Sequence, residues 1–143
     1  MIEYYFKTAK EENFNALPSP KEGCWIHVDE ATSDEVEEIC RLLGLEYTDL
    51  QDSLDRHEIP RIEKIHQHVL IFTRHPVEHD VAVGLYTMTF TMILSTDYFI
   101  TISPMKNPLI RYFIIGIFPA ITFRFLEVTI AKERGFQDTS GGF

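Results

Sequence analysis

The sequence has 143 residues, of which 45% are hydrophobic and 24% are charged, a balance typical of one globular domain. A chain of this length buries enough surface to fold without a disulfide framework or a structural metal. Its formal net charge of −9 and its lack of a basic cluster argue against binding to nucleic acid. We therefore expect one domain over residues 1–143 with no nucleic-acid partner.

The cysteine content and the hydropathy pattern indicate a cytoplasmic protein. Two cysteines, Cys24 and Cys40, fit a reduced intracellular protein better than a disulfide-linked secreted one. The first ten residues contain no apolar segment of the kind found in secretory signals. The longest uncharged run near the C-terminus, Tyr112–Phe123, has 12 residues, whereas a helix needs about 20 to span a bilayer. We expect that the sequence as written does not cross a membrane.

The first half of the chain predicts strands followed by helices. A Pro-rich segment, residues 17–23, separates a short first strand from a second strand at Cys24–Asp29. Thr32 and Glu35 match the capping box of a helix that Gly44 is placed to end. The same capping signature predicts a second, shorter helix that starts at Thr48 and runs through residue 54.

From residue 61 the hydrophobic period changes to two, which indicates strands. The predicted strands are Arg61–Ile65, His68–Arg74, Tyr86–Leu94 and Asp97–Ile102. Helix-like sequence begins at Lys106. Because helices and strands are largely segregated along the chain, we predict an α+β fold with three α/β/α layers. The central sheet is expected to be mainly antiparallel and flanked by helices.

Histidines are the first candidate metal ligands. Four of the six lie within 14 residues: His66, His68, His75 and His79. A His-x-His pair on a strand directs both imidazoles to one face, as half of a zinc or nickel site requires. These four histidines lie at predicted turn and loop positions, however, where side chains are usually solvated rather than bound to a metal. No nucleophile motif or phosphate-binding glycine pattern is present, which argues against an enzyme and leaves a histidine-metal hydrolase as a distant alternative.

Carboxylates are the second candidate ligands. Acidic residues crowd the start of the first helix, where they interact favourably with the helix dipole without any ligand. Glu78 and Asp80 differ because they lie in a loop between two predicted strands, beside His79. Their oxygens suit a hard cation such as Mg²⁺, although two carboxylates alone make a weak site. We take Glu78 and Asp80 as the candidate metal ligands.

Four short motifs, in this order and spacing, resemble the N-terminal cytoplasmic domain of CorA-type magnesium transporters. They are Trp25-Ile26-His27-Val28-Asp29, Leu50-Gln51-Asp52, His57-Glu58-Ile59-Pro60-Arg61-Ile62-Glu63 and Val69-Leu70-Ile71-Phe72. The resemblance covers about residues 24–104. It departs from the family at Gln51, where Glu is common, at Arg61, where Lys is common, and at Gln67-His68, where Asn-Tyr or Asp-Tyr is common.

The resemblance implies the cytoplasmic domain of a homopentameric membrane channel for Mg²⁺, and sometimes for Co²⁺ or Ni²⁺. Family members continue into a long helix and two membrane helices, the first ending in Gly-Met-Asn, and this tripeptide does not occur here. We therefore expect a fragment that does not itself conduct ions. The resemblance also implies regulation by Mg²⁺ bound through carboxylates at subunit boundaries, one of them near the loop that contains Glu78, His79 and Asp80. Such binding is expected to be weak in the isolated domain.

The leading hypothesis is the cytoplasmic, ion-sensing regulatory domain of a divalent cation transporter. Its partners are then divalent cations and other copies of the chain, and contact with the membrane is made only through later segments. The main alternative is a stand-alone soluble module of the same fold that binds a metal or another protein.

Overall fold

The computed structural model describes residues 1–78 and 85–114 of the chain. Its strands are β1 (Ile2–Phe6), β2 (Asn15–Leu17), β3 (Trp25–Val28), β4 (Arg61–Ile65), β5 (His68–Glu78), β6 (Leu85–Leu94) and β7 (Phe99–Ile102). Its helices are α1 (Ser33–Leu43), α2 (Tyr47–Leu50) and α3 (Ile110–Ile114), and a 3₁₀ turn at Gln51–Leu54 follows α2 directly.

The seven strands form one sheet in the order β2-β1-β3-β7-β6-β5-β4. Five of the six strand pairs are antiparallel, but β3 and β7 run parallel in the centre, with Val28 opposite Ile102. The sheet is therefore mixed. The prediction of a mainly antiparallel sheet is correct for most pairs but missed the parallel central pair, which joins two strands far apart in sequence.

Helix α1 forms where the sequence predicted it. Thr32 accepts a hydrogen bond from the Glu35 backbone N–H, and the Glu35 carboxylate accepts one from the Thr32 N–H, completing the capping box. Gly44 ends the helix at φ 69°, a left-handed conformation that glycine adopts without steric cost. The buried stripe of the helix consists of Val36, Ile39, Cys40 and Leu43.

The second helix differs from its prediction. Helix α2 is capped by Glu46 together with Asp49, rather than by Thr48 with Gln51, and it gives way to the 3₁₀ turn after four residues. Leu50, at the junction, is fully buried. The N-cap is therefore Glu46, two residues before the predicted Thr48, in the arrangement that buries Leu50.

Two cores lie on opposite faces of the sheet. The larger core joins α1 and α2 to the face that carries Ile26, Val28 and Ile100, and we call this the α1 face. The smaller core contains Tyr5, Trp25 and Ile110 of α3, on what we call the Trp25 face. Helices α1 and α2 cover the α1 face, and the five-residue helix α3 packs on the Trp25 face, so the described residues place helices on both sides of the sheet.

Candidate functional site

The candidate ligand Glu78 is the last residue of β5, paired with Leu85 at the start of β6. Strand β4 pairs only as far as Phe72, and β7 pairs with β6 only from Thr91 onward. Residues 73–78 and 85–90 therefore form a two-stranded extension, which we call the distal ribbon. At about 3.4 Å per residue it is about 20 Å long, so the ribbon carries Glu78 away from the body of the sheet.

The other half of the predicted pair, Asp80, lies outside the described residues, as does His79. The prediction that Glu78 and Asp80 together bind a metal ion therefore stays a prediction. The backbone places residue 78 at the far end of the ribbon.

Arg74 anchors the base of the distal ribbon on the α1 face. Its guanidinium donates to the backbone and hydroxyl oxygens of Thr87 and, through Nη1, to the carbonyls of Arg56 and Glu58. The Glu58 N–H donates in turn to Thr89 Oγ1 at 3.2 Å. These bonds tie the loop before β4 to β5 and β6, which fixes the direction in which the ribbon leaves the sheet.

Arg61 gathers three carboxylates at the outer edge of the sheet. Its guanidinium donates to Asp52 at 2.7 Å and also to Glu58 and Glu63, and its Cζ lies 4.1 Å from the Phe72 ring centroid. Hydrogen bonds to Glu63 and Glu58 raise the pKa of Arg61 further above its already high value. The three carboxylates surround the Arg61 guanidinium, and we call this group the Arg61 cluster. It joins the 3₁₀ turn to β4.

The sequence showed only part of this cluster. Alternation along β4 puts Arg61 and Glu63 on one face, but nothing in the local pattern brings in Asp52 from nine residues earlier. Arg61 is also one of the positions at which the sequence departs from the family, and its contacts give it a structural role here.

The histidines do not converge on a metal site in the described residues. His66 lies in the turn between β4 and β5 with φ 54°, and the buried His68 ring shares a 2.8 Å hydrogen bond with the Leu43 carbonyl. His75 is seven positions along the same strand and so faces the other side, where it packs edge-on against Phe90. Within the described part of the chain, no group of three or more His, Cys, Asp or Glu side chains is arranged to hold a metal. The described residues therefore give no support to the alternative of a histidine-metal hydrolase.

A chain of buried polar groups on the Trp25 face was not foreseen. Trp25 Nε1 donates to Thr101 Oγ1 at 2.9 Å, and the same hydroxyl shares a 2.8 Å hydrogen bond with His27 Nδ1. His27 Nε2 faces Asp29 Oδ1 at 3.7 Å. Burial lowers the pKa of His27 to about 4, and the nearby Asp29 carboxylate only partly opposes that effect. The alternation of Trp25, His27 and Asp29 is visible in the sequence, but their partner Thr101 is not.

Negative charge is concentrated in one segment. Residues 29–55 contain ten acidic residues and one basic residue, Arg41, so this segment alone carries a net charge equal to the −9 of the whole chain. The segment includes α1, α2 and the 3₁₀ turn, which cover the α1 face of the sheet. Glu37 and Glu38 on α1 are exposed. The outer surface of this helical layer is therefore strongly acidic and attracts cations.

Comparisons with known proteins agree with the fold. The family described as CorA-like Mg2+ transporter protein matches residues 20–122, more than two thirds of the chain. The soluble domain of CorA from Methanocaldococcus jannaschii is similar at 19% identity with a TM-score of 0.61, over 78% of this chain and 45% of that one.

Two further solved structures are similar. The complete CorA magnesium transporter from the same organism matches with a TM-score of 0.61 and 19% identity, over 94% of this chain and 38% of that chain. The full-length CmaX protein matches at 12% identity with a TM-score of 0.52, over 77% of this chain and 36% of that one. The chain thus spans less than half the length of each.

No curated protein sequence matches the chain. Within residues 1–78 and 85–114, the structure contains no helix of the length and apolar character needed to cross a bilayer. The family match covers the ordered motifs from Trp25 to Phe72, and the fold is that of the solved CorA soluble domain. The chain belongs to the CorA-like Mg2+ transporter family.

Proposed function

We propose that this chain is the cytoplasmic, ion-sensing regulatory domain of a divalent cation transporter that carries Mg²⁺ and also Co²⁺ or Ni²⁺. The observation that carries the proposal is the family match over residues 20–122. In this proposal the domain conducts no ions and performs no enzymatic reaction. It assembles as a homopentamer in the whole protein and reaches the membrane through segments beyond those matched here.

The distribution of charge supports a sensing role. The helical layer formed by residues 29–55 has a net charge of −9, so two such layers brought together repel each other. A divalent cation held between acidic groups of adjacent copies removes that repulsion and favours the assembled state. Loss of the cation lets the copies separate. The free Mg²⁺ concentration is thereby converted into a change of assembly.

The distal ribbon supports the choice of Glu78 and Asp80 as residues that meet a neighbouring copy of the chain. It carries Glu78 about 20 Å beyond the last residue of β5 that pairs with β4, by the usual rise per residue. Arg74 tethers the base of the ribbon through hydrogen bonds to Arg56 and Thr87, so the backbone at residue 78 ends an anchored strand. We propose that Glu78 and Asp80 supply part of a shared Mg²⁺ site whose other ligands belong to a neighbouring copy.

The first test is to read the source gene beyond the codon for Phe143. A transporter requires a long helical segment and two apolar segments, with Gly-Met-Asn ending the first of them. The full-length product is then digested with a protease at increasing Mg²⁺ concentration. The proposal predicts graded protection by Mg²⁺. A reading frame without apolar segments overturns the transporter role and favours a stand-alone module, whereas a transporter whose digestion ignores Mg²⁺ overturns the sensing role.

A further inference from the structure

The carboxyl ends of β3 and β7 lie side by side at the centre of the sheet, and we call the place where these two strands end the crevice. These are the two parallel strands, and the chain leaves them in opposite directions. After β3 it enters α1 on the α1 face, and after β7 it leads to α3 on the Trp25 face. In open sheets of this kind, ligands bind where the connections from adjacent parallel strands diverge to opposite faces.

Two buried polar atoms at this crevice have no hydrogen-bond partner in the described part of the chain. They are His27 Nε2 and Ser103 Oγ, and their residues are 1% and 0% exposed. The backbones of β3 and β7 stay paired beyond Val28, because the Ser103 N–H donates to the Val28 carbonyl. Asp29 and Ser103 are therefore neighbours across the two strands. Native structures satisfy nearly all buried polar groups, so these two atoms are available to bind a ligand or water.

The third group at the crevice is the Asp29 carboxylate. Its Oδ1 lies 3.7 Å from His27 Nε2 and accepts a 3.1 Å hydrogen bond from the Asn107 N–H. The Asp29 side chain is 19% exposed, which opens the crevice to solvent on that side. The carboxylate and the imidazole nitrogen thus face each other, and Ser103 lies beside Asp29 on the neighbouring strand.

The distance between the imidazole and the carboxylate suits a metal ion. Zinc forms bonds of about 2.0–2.2 Å to histidine nitrogen and carboxylate oxygen, so two ligands 3.7 Å apart can share one ion after an approach of a few tenths of an ångström to reach the tetrahedral angle. The imidazole selects among cations, because it suits Zn²⁺, Ni²⁺ and related transition metals, whereas Mg²⁺ prefers oxygen ligands.

The surrounding hydrogen bonds orient the imidazole. Thr101 Oγ1 has two lone pairs, one of which accepts the Trp25 indole N–H. The other can accept a hydrogen bond from His27 Nδ1–H, and in that tautomer Nε2 carries a free lone pair on the side of Asp29. Metal-binding histidines usually donate their second N–H in this way. Thr101 is therefore a positioning residue for the His27 ring.

We propose that the carboxyl ends of β3 and β7 bind one divalent transition-metal ion, with His27 Nε2 and Asp29 Oδ1 as ligands and Ser103 Oγ and water completing the shell. The site is separate from the proposed Mg²⁺ site on the distal ribbon in both place and metal preference. Because Asp29 also holds Asn107, a bound ion fastens β3 to the segment that leads into α3.

Trp25 provides a direct readout, because it is the sole tryptophan of the chain and its ring centroid lies 6.1 Å from that of His27. Paramagnetic Co²⁺ or Ni²⁺ at the site is expected to quench Trp25 fluorescence in the 143-residue chain, with saturation at one ion per chain. Zn²⁺ is expected to displace the quencher and restore the emission. Mg²⁺ in large excess is expected to leave the quenching unchanged.

Three variants decide the assignment. Asp29→Asn keeps an oxygen to accept the Asn107 N–H, and we expect it to weaken Co²⁺ quenching by at least about tenfold, the lower limit for loss of even an outer-shell partner. His27→Gln is expected to remove saturable quenching, with folding checked by circular dichroism. The control His66→Ala, in an exposed turn, is expected to bind normally.

Three results overturn the proposal: no saturable quenching, quenching lost in His66→Ala, or unchanged quenching in a folded Asp29→Asn protein. The second result assigns the metal to surface histidines instead. None of these results bears on the Mg²⁺ protection proposed above, because that test uses a different ion and different residues.

Discussion

Arg61 stacks on Phe72 from the neighbouring strand, with the guanidinium carbon 4.1 Å from the ring centroid. The two residues are directly paired in the β4–β5 register, so the contact also marks the correct alignment of the edge strand. The same guanidinium binds the carboxylates of Asp52, Glu58 and Glu63. One side chain thus connects the 3₁₀ turn, the following loop and the edge of the sheet.

Replacing Arg61 with Gln is expected to lower the free energy of unfolding by about 1–2 kcal/mol. Exposed ion pairs contribute little individually, about 0.2–1 kcal/mol, but here three pairs and a cation–π contact are lost together. The three carboxylates also remain close without a cation. Urea unfolding at low ionic strength measures the change, and added salt is expected to reduce the difference between the two proteins.

The control for this variant is Lys64→Gln, an exposed position on the opposite face of β4. It removes the same charge from the same strand and is expected to change the stability by less than about 0.5 kcal/mol. Equal effects of the two substitutions contradict the proposed role of the Arg61 cluster.

The stability of the domain is expected to fall in mild acid because of His27. Burial lowers its folded-state pKa to about 4, whereas an unfolded histidine titrates near 6.5. Between these values the unfolded chain binds a proton that the folded chain does not, so the free energy of unfolding decreases as the pH falls from about 6.5 towards 4. The difference of about 2.5 pH units corresponds to roughly 3 kcal/mol.

Urea denaturation at pH 7 and pH 4.5 tests this effect by comparing the unmodified protein with His27→Gln. The variant is less stable at pH 7 but is expected to show a flatter pH dependence across that window. Burial lowers the pKa of His75 as well, so the unmodified chain contains two contributions of the same sign and only the comparison isolates His27. Identical slopes in the two proteins contradict the assignment to His27.

Most individual elements follow from local sequence, whereas the pairing of distant strands does not. Alternation and capping predicted β4, β6 and α1 because each pattern is complete within about ten residues. The parallel contact between β3 and β7 joins residues more than 70 positions apart, and no local pattern encodes it. Helix α2 starts earlier than predicted, with Glu46 rather than Thr48 at the N-cap, in the arrangement that buries Leu50.

The same distinction applies to the candidate sites. Glu78 and Asp80 were selected as neighbouring carboxylates in one loop, and the structure adds the ribbon that carries residue 78 outward. The Arg61 cluster and the crevice at Asp29 each join segments that are separated in sequence. Ser103 is next to Asp29 only because β7 lies beside β3, so sequence periodicity alone could not reveal it.

Two positions with positive φ predict stability changes of opposite sign. His66 adopts φ 54° in the β4–β5 turn, and His66→Gly is expected to stabilise the fold by about 0.5–1 kcal/mol because glycine adopts this conformation without strain. Gly44 ends α1 at φ 69° with no atom near an added Cβ, so Gly44→Ala is expected to cost about 1 kcal/mol through backbone strain alone. Thermal unfolding of the two variants measures both stability changes. Stabilisation by Gly44→Ala contradicts the prediction that backbone strain at this position destabilises the fold.

The carboxylates on the distal ribbon are expected to act in Mg²⁺ sensing and not in folding. In the full-length protein, Asp80→Ala and Glu78→Gln are each expected to shift Mg²⁺-dependent protease protection to higher Mg²⁺ concentration, because each removes charge from a site of few ligands. The control Glu22→Gln removes one exposed negative charge far along the chain from the ribbon and is expected to leave the midpoint unchanged. A shift in all three variants indicates a general effect of net charge. If protection stays unchanged in Asp80→Ala, Asp80 is not a ligand. The midpoint measured for Glu78→Gln decides separately whether Glu78 is one.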